Sequence, residues 1–479
     1  LDWERHAPQS TDDFTADLLH PRNFKPTEEK PINTEPYISH EQGQWCVFPD
    51  FKEIDQYTGA YKAGNFEIFR DLLRDNGMAS QAEKFLMASG RLQVLAYKYE
   101  MERNLRTKGY AGFQLLSLND YSGQGTALVG PLNVHWREKG YCTAADWREF
   151  CSPIVPLALF SRFVFTTADT VSIGTDIYQG THFSSDQSDS SDLSDLSDNI
   201  GKSLWYRINN GSTLLAEGKV TSSAPIVFDP SQVKAPAKLT LTLSTAQQQP
   251  ATLTPQAGYG RNHYDFWVYP DKTQYTEEGI LITDTLDARA LDVLRGGGKV
   301  LICAAGKVRY GNDVRHTFMP VFWNTSWFKM RPPHTTGAYI QNTHPVFADF
   351  PTDDWQDLNW WELVNRTQVM NLSEFPFDYQ PIVQPIDTWH VSRKLGMMVE
   401  ANMFGGRLLM TTIDINNGLN NRPVARQLRH SILKYMQSDA FRPTLTLEPE
   451  VITHLFERTA PPVNMFTNES PDELKPKIQ

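Results

Sequence analysis

Cysteine is scarce: Cys46, Cys142, Cys151 and Cys303 are four residues in a chain of 479. They share no Cys-x-x-Cys spacing and have no His-x-x-x-His partner, so a zinc site is not expected. Free, mostly buried thiols are the default, and nothing in the sequence supports a Cys142–Cys151 bridge. The 12 histidines show no metal-ligand spacing either, and no metal or cofactor is expected. Long apolar runs are absent too. None reaches the roughly 18 residues that a membrane span requires. Positive charge is in deficit, with 45 basic against 56 acidic residues and a net charge of −11. No Lys/Arg-rich tract offers a phosphate footprint, which argues against nucleic acid as partner. The opening residues, Leu1-Asp-Trp-Glu-Arg-His6, are neither an initiator Met nor a signal peptide, and we expect a processed, excised or truncated chain.

What is present is globular. Hydrophobic residues make up 40% and charged residues 21%, which excludes a disordered chain. The length exceeds what one ordinary core sustains and implies two to four domains. Aromatics at 12%, including 12 Trp, suit large β-rich cores and also stacking against sugar rings.

Residues 1–34 are polar and broken by Pro8, Pro21, Pro26 and Pro31, and read as a long loop leading into a short strand over 37–39. A helix is expected near 63–75, with Phe66, Phe69 and Leu72/Leu73 on one face and Gly77 at its end. A longer one is expected over 81–106, opened by a Ser80/Glu83 capping box. Residues 110–118 form an apolar strand that ends in Asn119-Asp120-Tyr121. A short helix follows over 144–150, with Thr143 as N-cap and Asp146 completing the box. Strand, helices, strand, helix, with polar groups gathered at strand ends, is the pattern of a (β/α) barrel, of which only a piece is present.

Between 153 and 254 the pattern changes to short β-branched and aromatic runs separated by turns such as Asn209-Asn210-Gly211. That predicts an antiparallel, immunoglobulin-like β-sandwich. Within it, residues 184–198 are a run of Ser and Asp, for which a solvated loop is preferred over a calcium loop. From 259 to 438 strands (266–269, 280–283, 299–304, 395–401, 407–412) alternate with helices (287–294, 424–436), predicting a doubly wound α/β domain. A proline-bearing tail, with Pro461, Pro462, Pro471 and Pro476, is expected to wrap the surface or fray. The predicted domains are therefore 1–152, 153–256, 257–442 and a tail over 443–479.

The stretch Pro36-Tyr-Ile-Ser-His-Glu41-Gln-Gly-Gln-Trp45-Cys-Val-Phe48 carries the densest chemistry. A short strand delivers one carboxylate, and glycine and aromatics follow at once. A carboxylate of that kind can attack or stabilise an oxocarbenium-like centre while aromatic faces hold a sugar ring. An isolated glutamate is more often a surface residue. His40 on a regular strand would point away from Glu41 and is more readily structural.

These residues resemble the nucleophile segment of glycoside hydrolase family 2, in which an apolar strand ends in Glu followed closely by Gly. Gly112-Phe-Gln-Leu-Leu-Ser-Leu-Asn-Asp120-Tyr is similar to that family's last barrel strand. Gly123-Gln-Gly-Thr-Ala-Leu-Val-Gly130, Lys139-Gly-Tyr141 and Asn262-His-Tyr-Asp-Phe-Trp-Val-Tyr-Pro270 resemble large β-galactosidase-like members of Bacteroidetes type. The α/β region resembles the glutamine-amidotransferase-like accessory domain of several β-galactosidases. The resemblance implies a retaining exo-glycosidase that acts on plant or host glycans in the periplasm or outside the cell, with Glu41 as nucleophile. His40, Trp45, Asn119 and Asp120 would contact substrate, with Phe48 and Gln124 as weaker candidates. The family's acid/base lies in an Asn-Glu pair, and no Asn-Glu precedes Glu41 here. The resemblance therefore implies that an upstream segment, or another chain, supplies it.

An active amidotransferase needs Cys on a tight elbow between glycines, and Cys303 sits between Ile302 and Ala304. It reads as a buried core thiol, which leaves that domain accessory. Trp323, Trp327, Trp355, Trp360, Trp361 and Trp389 leave room in it for a sugar-binding or subunit-contact surface, though most suit a core. The alternative from another class is a non-catalytic pair of modules that binds glycan or mediates assembly.

Overall fold

A computed structural model describes residues 37–106, 110–121, 127–180, 203–220, 224–246, 260–321, 323, 334–365 and 367–460. The N-terminal prolines, Gln124, the Ser/Asp run over 184–198, Trp327 and the tail prolines beyond 460 lie outside the described residues. Helices and several sheets mix along the chain, as a multidomain α/β plus β protein should. The chain divides into two compact units. The first holds residues up to Gly43, Val94–Leu115 and Cys142–Asp271, and the second Gln44–Gln93, Leu116–Tyr141 and Lys272 onward. No helix among the described residues is long and apolar enough to cross a membrane.

Strand β1 (Tyr37–Gln42) is followed by helices α1 (Gly64–Asp75) and α2 (Ala82–Arg106), then by strand β2 (Tyr110–Leu115). In α1, Phe66, Phe69 and Leu73 recur at helical spacing and are the buried residues, which is why this sequence forms an amphipathic helix. Its end is set by Asn76, whose side chain donates to the Leu72 carbonyl at 2.9 Å, and by Gly77 at φ +74°. The expected Ser80/Glu83 box does not form. A 3-10 turn over Ala79–Gln81 leads into α2, and the Glu83 carboxylate accepts instead from Lys52 at 2.9 Å. The box at the next helix, α3 (Ala144–Arg148), does form, with Thr143 and Asp146 bonded reciprocally. Residues 82–93 of α2 belong to the second unit and 94–106 to the first.

In the first unit, β1 and β2 run parallel. Next come β3 (Ile154–Leu159), β4 (Val164–Thr166), β5 (Val171–Gln179), β6 (Leu204–Asn210), β7 (Thr213–Val220), β8 (Ile226–Phe228), β9 (Ala237–Ser244) and β10 (Arg261–Tyr269). They make a three-stranded sheet, β3-β5-β8, and a five-stranded sheet, β4-β10-β9-β6-β7, antiparallel except where β10 meets β4. Alternation sets the buried face: Leu239, Leu241 and Leu243 of β9 are all fully buried. Phe266 of β10 joins the two sheets, with ring centroids 5.6 Å from Phe160 and 6.4 Å from Phe228. Residues 266–269, expected with the following domain, thus belong to this sheet, because β10 continues the buried alternation of its partner β9.

The C-terminal half of α2 is fixed to this β region by a buried carboxylate. Glu102 meets Lys98 at 2.8 Å and Arg106 at 2.6 Å, and accepts from Asn262 of β10 at 2.8 Å. Burial pushes its carboxyl up, but the two cations outweigh that and hold it below the usual range.

In the second unit, β11 (Ile280–Thr283), α4 (Ala288–Arg295), β12 (Lys299–Cys303), β13 (Thr335–Ile340), α5 (Trp361–Val364), β14 (Met370–Asn371), β15 (Val383–Asp387), β16 (Leu395–Gly396), β17 (Met398–Met403), β18 (Gly406–Thr411), α6 (Pro423–Gln437) and α7 (Pro449–Glu457) follow in order. The six-stranded sheet has the order β11-β12-β18-β17-β15-β13. It is parallel over β11, β12 and β18 and antiparallel beyond. The parallel pairing expected of a doubly wound domain is therefore confined to one half of the sheet. The β17–β18 turn at Phe404-Gly405 is too short for a crossover and forces a hairpin. Val300 and Ile302, Val399 and Ala401, and Leu408 and Met410 line one sheet face and share a core with Leu294 of α4 and Ile452 and Leu455 of α7.

Candidate functional site

Glu41 stands at the C-terminal end of β1, at a break in its register. Ser39 pairs with Phe113 and Gln42 with Leu115, so β1 takes three steps where β2 takes two. The extra residue makes a bulge, and Glu41 takes the strained left-handed conformation, φ +53°. On a regular strand His40 and Glu41 would face opposite ways. Here His40 Nε2 lies 3.8 Å from Glu41 Oε1, and both side chains are exposed, at 76% and 52%. His40 Nδ1 also pairs with Gln114 Oε1 of β2 at 3.1 Å, which ties its ring to the neighbouring strand.

The turn after Glu41 depends on glycine. Gly43 has φ +98°, and a Cβ there would sit 2.1 Å from the Tyr97 ring. Tyr97 is fully buried and packs on Trp147 at 5.3 Å, in the small core that Phe113 and Leu115 of β2 complete. Any side chain at position 43 would displace that ring.

The other candidates belong to the second unit. Trp45 is 2% exposed, so its indole packs in the interior, and its carbonyl accepts from Gln93 at 2.7 Å. Phe48 is equally buried, edge-on to Phe85 at 5.4 Å. Asn119 is half-buried and engages its own chain, donating from Nδ2 to the Asp120 carbonyl at 2.9 Å and accepting from Ser117 at 3.0 Å. Asp120 is buried. Its Oδ2 lies 2.6 Å from Lys139 Nζ, and its Oδ1 accepts from the Gly130 N–H at 3.0 Å.

Lys139 also donates to the Gly130 carbonyl at 2.8 Å, and the Tyr141 hydroxyl lies 2.6 Å from Gln93 Oε1 and 3.1 Å from that same carbonyl. This buried polar layer ties α2, the 128–130 segment and the loop after β2 together. Gly130 is required within it, since a Cβ would meet the Asn119 backbone at 2.4 Å. Burial raises the Asp120 carboxyl above the usual range, opposed by the Lys139 ammonium.

A second carboxylate faces this pair. Glu53, in the 3-10 turn over Phe51–Gln56, is fully buried. Its Oε1 accepts a long bond from Tyr57 at 3.4 Å, and Oε2 has no hydrogen-bond partner among the described residues. Burial, and then the Asp120 charge, push its carboxyl up to about 7, against the pull of Lys139. A glutamate so shifted binds its proton more tightly folded than unfolded. Stability should fall as pH rises from the ordinary glutamate value, about 4.3, through about 7, and level off above. Glu53→Gln mimics the protonated form. At about pH 8 it should gain roughly 2 kcal/mol over the parent in urea denaturation, with the gap closing near pH 4. Parallel pH profiles for parent and variant would contradict this.

The structure thus brings Asp120 together with Lys139 and with Glu53, which the sequence did not single out, and places His40 beside Glu41. Lys139-Gly-Tyr141 was legible as a motif but gave no sign of its partner, because Asp120 lies in a different loop. All four cysteines are free thiols. Cys303 is buried at the end of β12, where burial pushes its thiol up to about 11 against the opposing charge of Arg429. Among the described residues no group of three or more His, Cys, Asp or Glu could hold a metal ion.

A family model described as a domain of unknown function (DUF8487) matches residues 281–457, the stretch from β11 to α7. No curated protein matches the chain.

Proposed function

We propose that this chain carries the nucleophile end of a retaining, exo-acting glycoside hydrolase, similar to glycoside hydrolase family 2 and β-galactosidase-like. The observation that carries the reading is Glu41: a half-exposed carboxylate on a strained left-handed residue, at the bulged C-terminal end of a parallel strand. Strain and bulges of this kind gather at functional sites, where they aim a side chain. A parallel pair, β1 and β2, joined through two helices is what a piece of a (β/α)8 barrel contains, and barrel chemistry sits at that end of the strands. The double β-sheet is then an immunoglobulin-like sandwich and the mixed sheet an amidotransferase-like accessory domain. The buried Cys303 fits an accessory role, since a nucleophilic thiol must be reachable.

In this reading Glu41 attacks the anomeric carbon, a glycosyl ester forms, and the bond to the leaving oxygen breaks as a second carboxylic acid protonates it. That residue then deprotonates the water that cleaves the ester, so the anomeric configuration is retained. The acid/base is assigned to an upstream segment of the enzyme or to another chain. Asp120, buried and neutralised by Lys139, shapes the loop after β2 and need not touch sugar. The glycans are of plant or host origin, met in the periplasm or outside the cell.

The test is the full-length protein on a panel of nitrophenyl glycosides, with the product anomer read by NMR. Release of nitrophenol with net retention is expected. Inversion, or no turnover on any glycoside, would overturn the proposal.

A further inference from the structure

Trp136 is 65% exposed and has φ +62°, a left-handed backbone that a bulky residue rarely adopts and that Gly or Asn would take with less strain. Its turn is rigid. The buried Asn133 accepts at Oδ1 from the N–H groups of His135, at 2.9 Å, and Arg137, at 3.1 Å. The Trp136 N–H donates to the Asn133 carbonyl at 2.9 Å, and Asn133 Nδ2 donates to Gln56 at 3.1 Å. On the near side His135 stands edge-on to Tyr57, with centroids 4.9 Å apart. At its base the hairpin pairs through Leu132 with both Glu138 and Asn119, so it grows directly out of the loop that follows β2.

Folding does not call for an indole at this point, since most of it lies in water. The neighbours His135, Arg137 and Glu138 are exposed and polar. One aromatic plate among charged side chains is too small and too polar for a protein docking patch. It matches the needs of a sugar ring, which offers one apolar face to stack and a rim of hydroxyls to hydrogen-bond. We infer that Trp136 is the platform of a sugar-binding subsite, one that holds a ring of a β-linked glycan, with Arg137 and Glu138 supplying hydroxyl contacts. The chemical class of the ligand rests on the glycosidase reading. The rigid turn keeps the plate in place before ligand arrives, which lowers the ordering cost of binding.

The experiment measures binding, not turnover. Full-length protein carrying Glu41→Gln, so that glycan stays intact, is titrated calorimetrically with β-linked galactotetraose and, separately, with methyl β-galactoside. Adding Trp136→Ala should weaken tetraose binding about tenfold or more, the loss typical of a lone aromatic anchor. Trp136→Tyr, which keeps an aromatic face, should restore most of it. The methyl glycoside should show a smaller loss than the tetraose. Equal tetraose affinity in the Trp136→Ala variant, or a loss that Tyr fails to rescue, would overturn the subsite. Because Trp136 is exposed, the thermal midpoint should stay with the parent's, which separates lost binding from lost folding. If the parent shows no glycosidase turnover yet tetraose binding still depends on Trp136, the subsite stands and the hydrolase proposal falls. If turnover is present and binding ignores Trp136, the reverse holds.

Discussion

Lys139→Met should destabilise the second unit by about 3–5 kcal/mol, the cost of leaving a buried charge without its partner. Lys139 and Asp120 are 2.6 Å apart, and each side chain is 1% exposed. Removing the ammonium leaves the carboxylate, among the described residues, with the Gly130 N–H as its bonded donor, and takes away the positive charge that offsets Asp120 beside Glu53. Asp120 must then take up a proton to stay buried. The variant should therefore be weakest at high pH, where that proton costs most, and recover partly as pH falls. A companion variant isolates the cause. Asp120→Asn added to Lys139→Met removes both charges, and a neutral pair of similar volume should regain most of the loss. Guanidinium denaturation followed by tryptophan fluorescence reads both. A loss below about 1 kcal/mol in the single variant, typical of an exposed pair, would mean that the pair does not hold this layer together.

Glu41→Gln should abolish turnover with little change in stability. Removing a nucleophile that works as part of a set costs roughly 10⁴-fold or more in kcat. Gln keeps the volume and the hydrogen-bonding outline of Glu, and the side chain is half-exposed, so neither the bulge nor the β1–β2 pairing loses a buried contact. Sugar binding should persist, since the lost interaction is made at the reacting carbon. Loss of turnover with intact binding and an unchanged thermal midpoint is the expected signature. Turnover within tenfold of the parent would remove Glu41 from the mechanism.

The helices were the most legible part of this chain. The Phe66/Phe69/Leu73 period and the Thr143/Asp146 box are local signals, and each fixed a helix within a residue or two. Local chemistry misled where a tertiary partner competed for the same group. Ser80 and Glu83 have the spacing of a cap, yet Lys52 takes the carboxylate. Sheet pairing was less accessible, because it joins residues far apart in sequence. Residues 266–269 read as the start of an α/β domain until β9 is seen alongside. The antiparallel half of the six-stranded sheet hid for a related reason. β15 is buried at every position, so its sequence lacks the alternation that would mark it.

For the site, Glu41 was legible as a carboxylate at a strand end, but the bulge that turns it beside His40 was not. Nothing in His-Glu-Gln-Gly announces an extra residue in the ladder. Trp45 looked like a pocket aromatic and is packed inside, because loop composition does not say which way a side chain faces. Trp136 carried no signal until its exposure and backbone angle were visible.

On the proposed mechanism Glu41 forms a covalent bond to sugar. Incubating the full-length protein with an activated 2-deoxy-2-fluoro-β-galactoside should slow both steps of the proposed reaction while keeping a good leaving group, so the glycosyl ester should accumulate. Peptide mass spectrometry should then find the fluorosugar on the peptide that contains Glu41, and in the Glu41→Gln variant on no peptide. A label on any other carboxylate, in an enzyme that retains anomeric configuration, would contradict the assignment.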